Sequence, residues 1–388
     1  MNGFLKKLGS VKWKNYINYI AVGIVALVFS LLTFGGALPQ STLYLLERVT
    51  MSIILAVSLS LVVGFLGELS LGHAGFMCIG AYIGGKIAVM LNSAGMDGKG
   101  VVSFLISLAV GATVAGLFGF VIGLPALRLK GDYLAIVTLA FGEIVRTIFE
   151  NTSEDSFGGP MGLRTPRFDK QYLFVIGFVL VLLTLFVVQN LISSKHGRAI
   201  TTIRDNEIAS RSIGINVTKY KLVGFIISAA FAGVAGVFYS FANSTVTAAV
   251  FDYNYSIEIL VMVVLGGMGN ISGSIIAATA ITVINNELQS VLTGELAVLK
   301  DIIYALILIV LVIYNNAVGL KSFREKYNPR RLIDRFMSKR DPAYKTDDDA
   351  RWDLIPTKIK MDELLSVDIK VTESVMDPDK PDASTKEE

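Results

Sequence analysis

The sequence predicts an all-α protein that crosses a lipid bilayer many times, and two observations support this fold class. Of the 388 residues, 53% are hydrophobic and only 17% are charged, whereas soluble domains carry about 25% charged residues. The hydrophobic residues also form repeated runs of about 20, the length that an α-helix needs to span about 30 Å of hydrocarbon. The composition therefore predicts a polytopic membrane protein.

The apolar runs indicate about ten transmembrane helices, some of them short or broken. The run over 256–287 is too long for one comfortable span and contains the sequence GGMGNISG, so we interpret it as two short helices joined by a glycine turn. The other predicted spans lie near 16–36, 49–67, 73–91, 101–125, 133–150, 171–192, 222–243 and 301–319.

Basic residues predict the orientation, because lysine and arginine are enriched in cytoplasmic segments. They concentrate in the N-terminal segment 1–15, in the loop 195–221 and after residue 320. An even number of spans places all three on the cytoplasmic side, whereas nine spans would place the basic tail outside. We therefore expect a transmembrane domain over 16–320, with both termini in the cytoplasm. The charged tail 321–388, with few apolar residues and opposite charge blocks, is predicted to be disordered.

Two breaks in the apolar runs indicate a pathway across the membrane. The first lies in GELSLGHAGFMCIGAYIGGK (67–86) and the second in GGMGNISG (266–273). A broken helix at membrane depth persists only where it is buried in protein or lines a wet cavity, and such breaks often mark translocation pathways. Close helix packing is the alternative interpretation. The predicted pathway residues are Ser70, Gly72, His73, Gly75, Gly266, Gly267, Gly269 and Asn270.

The sequence allows two interpretations of His73. It is either a polar residue at the start of a helix, hydrogen-bonded to neighbouring backbone, or a group that contacts substrate or carries a proton. His196, the other histidine, lies in the loop 195–221, and Cys78 is the only cysteine. We therefore predict no metal site.

The glycine motifs do not predict a nucleotide site. Residues 80–86 match G-x-x-x-x-G-K, but Ile87 follows where a phosphate-binding loop needs Ser or Thr, and no strand precedes the motif. The sequence GGMGNISG is one residue off the dinucleotide-binding spacing. We expect no cofactor in this chain, and the net charge of +3 gives no reason to expect a nucleic-acid partner.

The loop 195–221 predicts a short amphipathic helix pair at the membrane face. Isoleucines recur in it at roughly helical spacing, with charged residues between them. It is either an ordinary connector that lies on lipid headgroups or a docking element for a soluble partner.

The sequence GRAITTIRDNEIASRSIGINVTKYK in this loop resembles the cytoplasmic coupling loop of permease subunits from branched-chain amino-acid ABC importers, the LivM-like family. Three further stretches resemble segments of that family in the same order, and the resemblance covers roughly residues 45–320. These stretches are SLGHAGFMCIGAY (Ser70–Tyr82), LRLKGDYLAIVTLAFGEIVR (Leu127–Arg146) and VVLGGMGNISGSIIAA (Val263–Ala278).

The resemblance implies the ten-helix architecture of a type II-like ABC importer permease in the bacterial inner membrane. It also implies a homologous LivH-like permease, two cytoplasmic ATPases that bind the ATP, and an extracytoplasmic substrate-binding protein as partners. In the general docking motif a Gly follows the Glu by six residues, whereas Gly214 follows Glu207 by seven, as in LivM-like loops. The residues implied to couple to the ATPases are Gly197, Arg198, Arg204, Asp205, Glu207, Ala209, Arg211 and Gly214.

Two other functions stay open from the sequence. A urea or nucleoside/sugar ABC importer permease would share the same architecture. A stand-alone secondary transporter would need an intramembrane acid for ion coupling, and Glu143 is the one modest candidate. Arg146 lies three residues further on the same helical face, so the two side chains can instead form an ion pair. The chain itself is not expected to be an enzyme.

Overall fold

The computed structural model describes residues 13–35, 39–95, 100–129, 131–166, 168, 170–291, 306 and 309. Nearly all of these residues are helical, which confirms the predicted all-α class. The α-helices are α1 Trp13–Phe34, α2 Gln40–Ser60, α3 His73–Ser93, α4 Val101–Ala126, α5 Asp132–Glu150, α6 Glu154–Phe157, α7 Lys170–Ser193, α8 Lys195–Asp205, α9 Glu207–Ser212, α10 Val217–Ala242, α11 Tyr253–Gly266 and α12 Ile271–Val291.

Seven helices within the described residues are long and apolar enough to cross a membrane. These are Gln40–Leu66, His73–Ser93, Val101–Ala126, Tyr172–Ser193, Val217–Ala242, Ala248–Gly266 and Ile271–Gln289. Helices α1 and α5 coincide with two more of the predicted spans. The predicted last span, 301–319, lies outside the described residues apart from 306 and 309, so the count of ten stays a prediction. The tail 321–388 and residues 1–12 also lie outside them.

Helix α10 lies at the centre of the bundle and packs against α2, α3 and α4. Glycines let the backbones of α3 and α10 touch: a Cβ atom on Gly80 would overlap the backbone of Gly233, and one on Gly236 would overlap the carbonyl of Met77. Small residues at such contacts allow the close packing that stabilises helix pairs in membranes. Gly80, part of the P-loop-like spacing, therefore serves a helix contact.

The first break is built from a π-helical turn and a short non-helical segment. Helix α2 continues into the π-helical turn Leu61–Leu66, which ends at Gly67 with a φ of 78°. Residues 68–72 are not helical, and α3 begins at His73. The His73 side chain is hydrogen-bonded to the Ser58 hydroxyl, and the Ser58 carbonyl accepts a hydrogen bond from the Ser228 hydroxyl of α10. At 1.5 Å per residue, Ser228 lies about 17 Å from the start of α10. Helix α3 therefore begins about halfway along α10.

The second break is the predicted glycine turn. Helix α11 is only 14 residues long, and the turn to α12 contains Gly267 and Gly269 with φ of 90° and 81°, values that favour glycine. This confirms the expectation of two helices in the region 256–287.

One small sheet departs from the purely helical prediction. Strand β1, Leu163–Arg164, pairs antiparallel with β2, Thr245–Val246. Both strands lie in connections between helices, and β2 follows the end of α10 by two residues. Pairing satisfies backbone groups that would otherwise lack partners beside the bundle. Two-residue strands leave no alternating hydrophobic pattern, so the sequence could not reveal them.

Candidate translocation and coupling site

The α8–α9 segment (Lys195–Ser212) contacts the first helix break through Arg204. The Nη1 atom of Arg204 donates a hydrogen bond of 3.0 Å to the carbonyl oxygen of Gly64, inside the π-helical turn. Asp205 holds the guanidinium from the other side, with Oδ1 at 3.0 and 2.9 Å from Nε and Nη2. Carbonyls at the end of a helix lack intrahelical partners, so Arg204 supplies a donor that the helix itself cannot provide.

The two breaks meet at the same place. A Cβ atom on Gly64 would lie 2.5 Å from the backbone nitrogen of Gly269, so the π-helical turn and the glycine turn are in backbone contact. A cleft of about 480 Å³ opens beside this contact. It is lined by Val63, Gly64, Gly67, Glu68, Leu69, Arg204 and Met268.

A buried ion cluster forms the second link between the break and the α8–α9 segment. Lys221, in the second turn of α10, bonds through Nζ to Glu68 at the break and, at 3.2 Å, to Glu207 of α9. The Lys221 side chain is only 5% exposed. Arg211 bonds to the other oxygen of Glu207. Charge-assisted hydrogen bonds of this kind are about twice as strong as neutral ones, so the cluster fixes α9 against the break.

Local capping explains why the loop folds as two short helices, as the sequence predicts. The Ser194 side chain accepts from the backbone of His196 and Gly197 at the start of α8, and the Asn206 side chain accepts from Ala209 at the start of α9. Such caps satisfy amide groups that the first helical turn leaves unpaired. Ile203 of α8 is buried, whereas Ile208 and Ile213 are 78% and 71% exposed.

The eight predicted coupling residues fall into three groups. Arg204 bonds to the break directly, Asp205 bonds to Arg204, and Glu207 is linked to the break through Lys221. Gly197 packs against the backbone of Ile192 at the end of α7, where a Cβ atom has no room. The remaining four are exposed: Arg198, Ala209, Arg211 and Gly214.

The predicted pathway residues of the first break lie at the start of α3, enclosed by other helices. The Nε2 atom of His73 is 2.9 Å from the Ser58 hydroxyl, and His73 is buried. The backbone NH of Ala74 donates to the Ser256 hydroxyl at 3.1 Å. Gly72 packs against Thr138 and Gly75 against Gly142, and Ser70 is buried. His73 is therefore a hydrogen-bonded residue at a helix start, but its partner is the Ser58 side chain of α2 and not the neighbouring backbone that the sequence led us to expect.

In the second break, Gly269 touches Gly64 and Gly266 packs against Gly273. Gly267 and Asn270 form the turn itself, where the backbone NH of Asn270 donates to the Gly267 carbonyl. That both sets of residues line the translocation pathway stays a prediction.

Three residues of the site were not predicted from the sequence: Gly64, Glu68 and Lys221. Glu68 nevertheless stands out as an acid at the end of an apolar run.

Glu143 of α5 forms an ion pair with Arg146, with Nε and Oε2 3.0 Å apart. This confirms that the two residues pair on one helical face. Glu143 is therefore engaged with its neighbour, which weakens the case for it as an ion-coupling acid of a secondary transporter.

Residues 41–312 match the family model described as the permease component of branched-chain amino acid transport systems. The chain belongs to this family. The match covers α2 to α12, the two helix breaks and the α8–α9 segment, and it confirms the resemblance that four segments of the sequence indicate.

Three relatives show the range of this similarity. The high-affinity branched-chain amino acid transport permease LivM of Escherichia coli K12 is 35% identical over 331 residues, covering 76% of this chain and 74% of LivM. The ribose import permease RbsC of the same strain is 24% identical, covering 76% and 92%. The probable permease LivH of Methanocaldococcus jannaschii is 31% identical over 156 residues, covering 40% and 46%. No solved structure matches the chain.

The ion cluster generates a stability prediction. Lys221→Met leaves the Glu68 carboxylate buried without its cation, and we expect the free energy of unfolding to fall by about 3–5 kcal/mol. Chemical denaturation in detergent measures this change. Adding Glu68→Gln to Lys221→Met removes the buried charge and should restore part of the loss.

Lys219→Met is the matched control, because Lys219 lies two residues away on the same helix with an exposed side chain. Equal stability of Lys221→Met and Lys219→Met would show that the cluster does not hold the break.

Proposed function

We propose that this chain is the membrane-spanning permease subunit of an ATP-driven importer that translocates branched-chain amino acids such as leucine, isoleucine and valine. The observation that carries this proposal is the 35% identity to LivM across three quarters of both chains. In this proposal the protein lies in the bacterial inner membrane, with both termini and the α8–α9 segment in the cytoplasm. The basic residues of 195–221 support that orientation.

The proposed partners are a homologous LivH-like permease, two cytoplasmic ATPases and an extracytoplasmic binding protein. Similarity to a probable LivH over 156 residues supports a pair of related permeases. Ile208 in α9 and Ile213 directly after it support docking of an ATPase at α9, because large apolar side chains exposed beside charged ones are typical of protein contact sites. ATP is bound by those partners, and this chain contributes no cofactor.

The two polar links suggest how ATP-driven movement reaches the pathway. Closure of the ATPases displaces the α8–α9 segment, and Arg204 and Lys221 transmit the displacement to the π-helical turn and Glu68. Because Gly64 touches Gly269, the second break moves with the first. The importer then alternates between two states whose populations depend on nucleotide and substrate.

A substrate assay tests the proposal. In a strain that lacks this subunit, we expect the restored gene to recover uptake of labelled leucine and to leave uptake of labelled urea and ribose unchanged. A second candidate function is a sugar importer, because the chain is similar to RbsC over 92% of the length of RbsC. Recovery of ribose uptake instead of leucine uptake would favour that function.

A docking assay tests the role of α9. The double substitution Ile208→Asp and Ile213→Asp places charge on the proposed contact surface, and we expect the ATPases no longer to co-purify with the permease. Met161→Asp is the matched control, since Met161 is 79% exposed beside the β1–β2 sheet, at the other end of α10. Undiminished co-purification of the double variant would contradict docking at α9.

A further inference from the structure

A polar cavity of about 320 Å³ lies at the end of the bundle opposite the α8–α9 segment. Its walls come from α2, α3, α10, α11 and α12. Tyr239, in the last turn of α10, lines it, about 27 Å along the helix from Lys221. The cavity is therefore separate from the cleft at the helix break.

Arg48 of α2 presents a half-buried cation to this cavity. Its Nη1 atom is 3.5 Å from Oε1 of Gln289, and its guanidinium lies 5.8 Å from the centre of the Tyr44 ring. No carboxylate in the described part of the chain forms an ion pair with it. Charged residues in membrane-spanning helices are costly and mark functional sites, and the planar guanidinium matches a carboxylate.

Glu258 of α11 presents an anion to the same cavity. Its Oε1 atom accepts a hydrogen bond of 3.0 Å from Nδ2 of Asn285. Among the described ion pairs none includes Glu258, so the cavity holds a positive and a negative group that do not neutralise each other. Glu47 also lines the cavity, but it is only 1% exposed and offers a ligand less surface than Glu258.

We propose that this cavity binds the zwitterion of an α-amino acid, with Arg48 on the carboxylate and Glu258 on the ammonium group. Met51, Met77 and Val250 supply an apolar wall for an aliphatic side chain. Ligand pockets span about 300–1,000 Å³, so this one suits a single amino acid. The inference rests on the proposed function and deepens it, because an amino acid offers one ionic group to each of the two charged side chains.

Charge-specific competition tests the site. The probes are labelled leucine and two competitors that each lack one charge: 3-methylbutylamine, without the carboxylate, and 4-methylpentanoate, without the ammonium group. The purified permease–ATPase complex without binding protein should bind leucine at least about tenfold more tightly than either competitor, because each charged hydrogen bond stabilises binding by at least that factor.

Each variant should lose one preference only. Arg48→Gln abolishes the preference for leucine over 3-methylbutylamine and keeps that over 4-methylpentanoate, and Glu258→Gln does the reverse. Arg48→Lys keeps the charge and restores part of the preference. Arg164→Gln, at an exposed arginine of the β1–β2 sheet, should behave like the wild type. If the variants instead bind all three ligands more weakly by the same factor, as general damage to the fold would cause, the assignment is overturned.

The outcomes separate this inference from the proposed function. If the complete importer transports leucine but Arg48→Gln and Glu258→Gln keep both preferences, or the wild type binds no leucine, the cavity is not the site and the function stands. If the importer transports ribose and not leucine, the proposed function and the zwitterion site both fall.

Discussion

The hydrogen bond from Arg204 to the carbonyl of Gly64 is the interaction on which the rest of this arrangement depends. A helix that ends inside a membrane protein leaves backbone groups that lipid cannot satisfy. Here the missing donor comes from α8, a helix outside the spans. The α8–α9 segment is therefore part of the structure of the break itself, and a movement of one requires a movement of the other.

Packing makes this link stiff. Helix α10 is packed closely against α3 through backbone contacts at Gly80 and Gly236, so its position in the bundle is fixed. Lys221 of α10 bonds to both Glu68 and Glu207 and holds them together. Burial of such a cluster is costly unless every charge has partners, which is why the break and α9 adopt one defined relative position.

Much of this arrangement is readable from local patterns, and part of it is not. The two breaks, the helix pair of 195–221 and the Glu143–Arg146 pair follow from glycine positions, periodicity and a spacing of three. The contact of Gly64 with Gly269 joins residues more than 200 positions apart, and no local signal specifies it. The cavity at Arg48 and Glu258 draws its charges from two distant helices for the same reason.

The most direct test of the central claim is the number of leucine molecules transported per ATP hydrolysed by the reconstituted importer carrying Arg204→Gln. Its control is Lys195→Gln, at the exposed lysine that begins the same helix and is not among the predicted coupling residues. If Arg204 transmits movement to the break, ATPase binding and hydrolysis persist while the transport ratio falls about tenfold, as expected when one charged hydrogen bond is lost. An unchanged ratio, equal to that of Lys195→Gln, would contradict the claim.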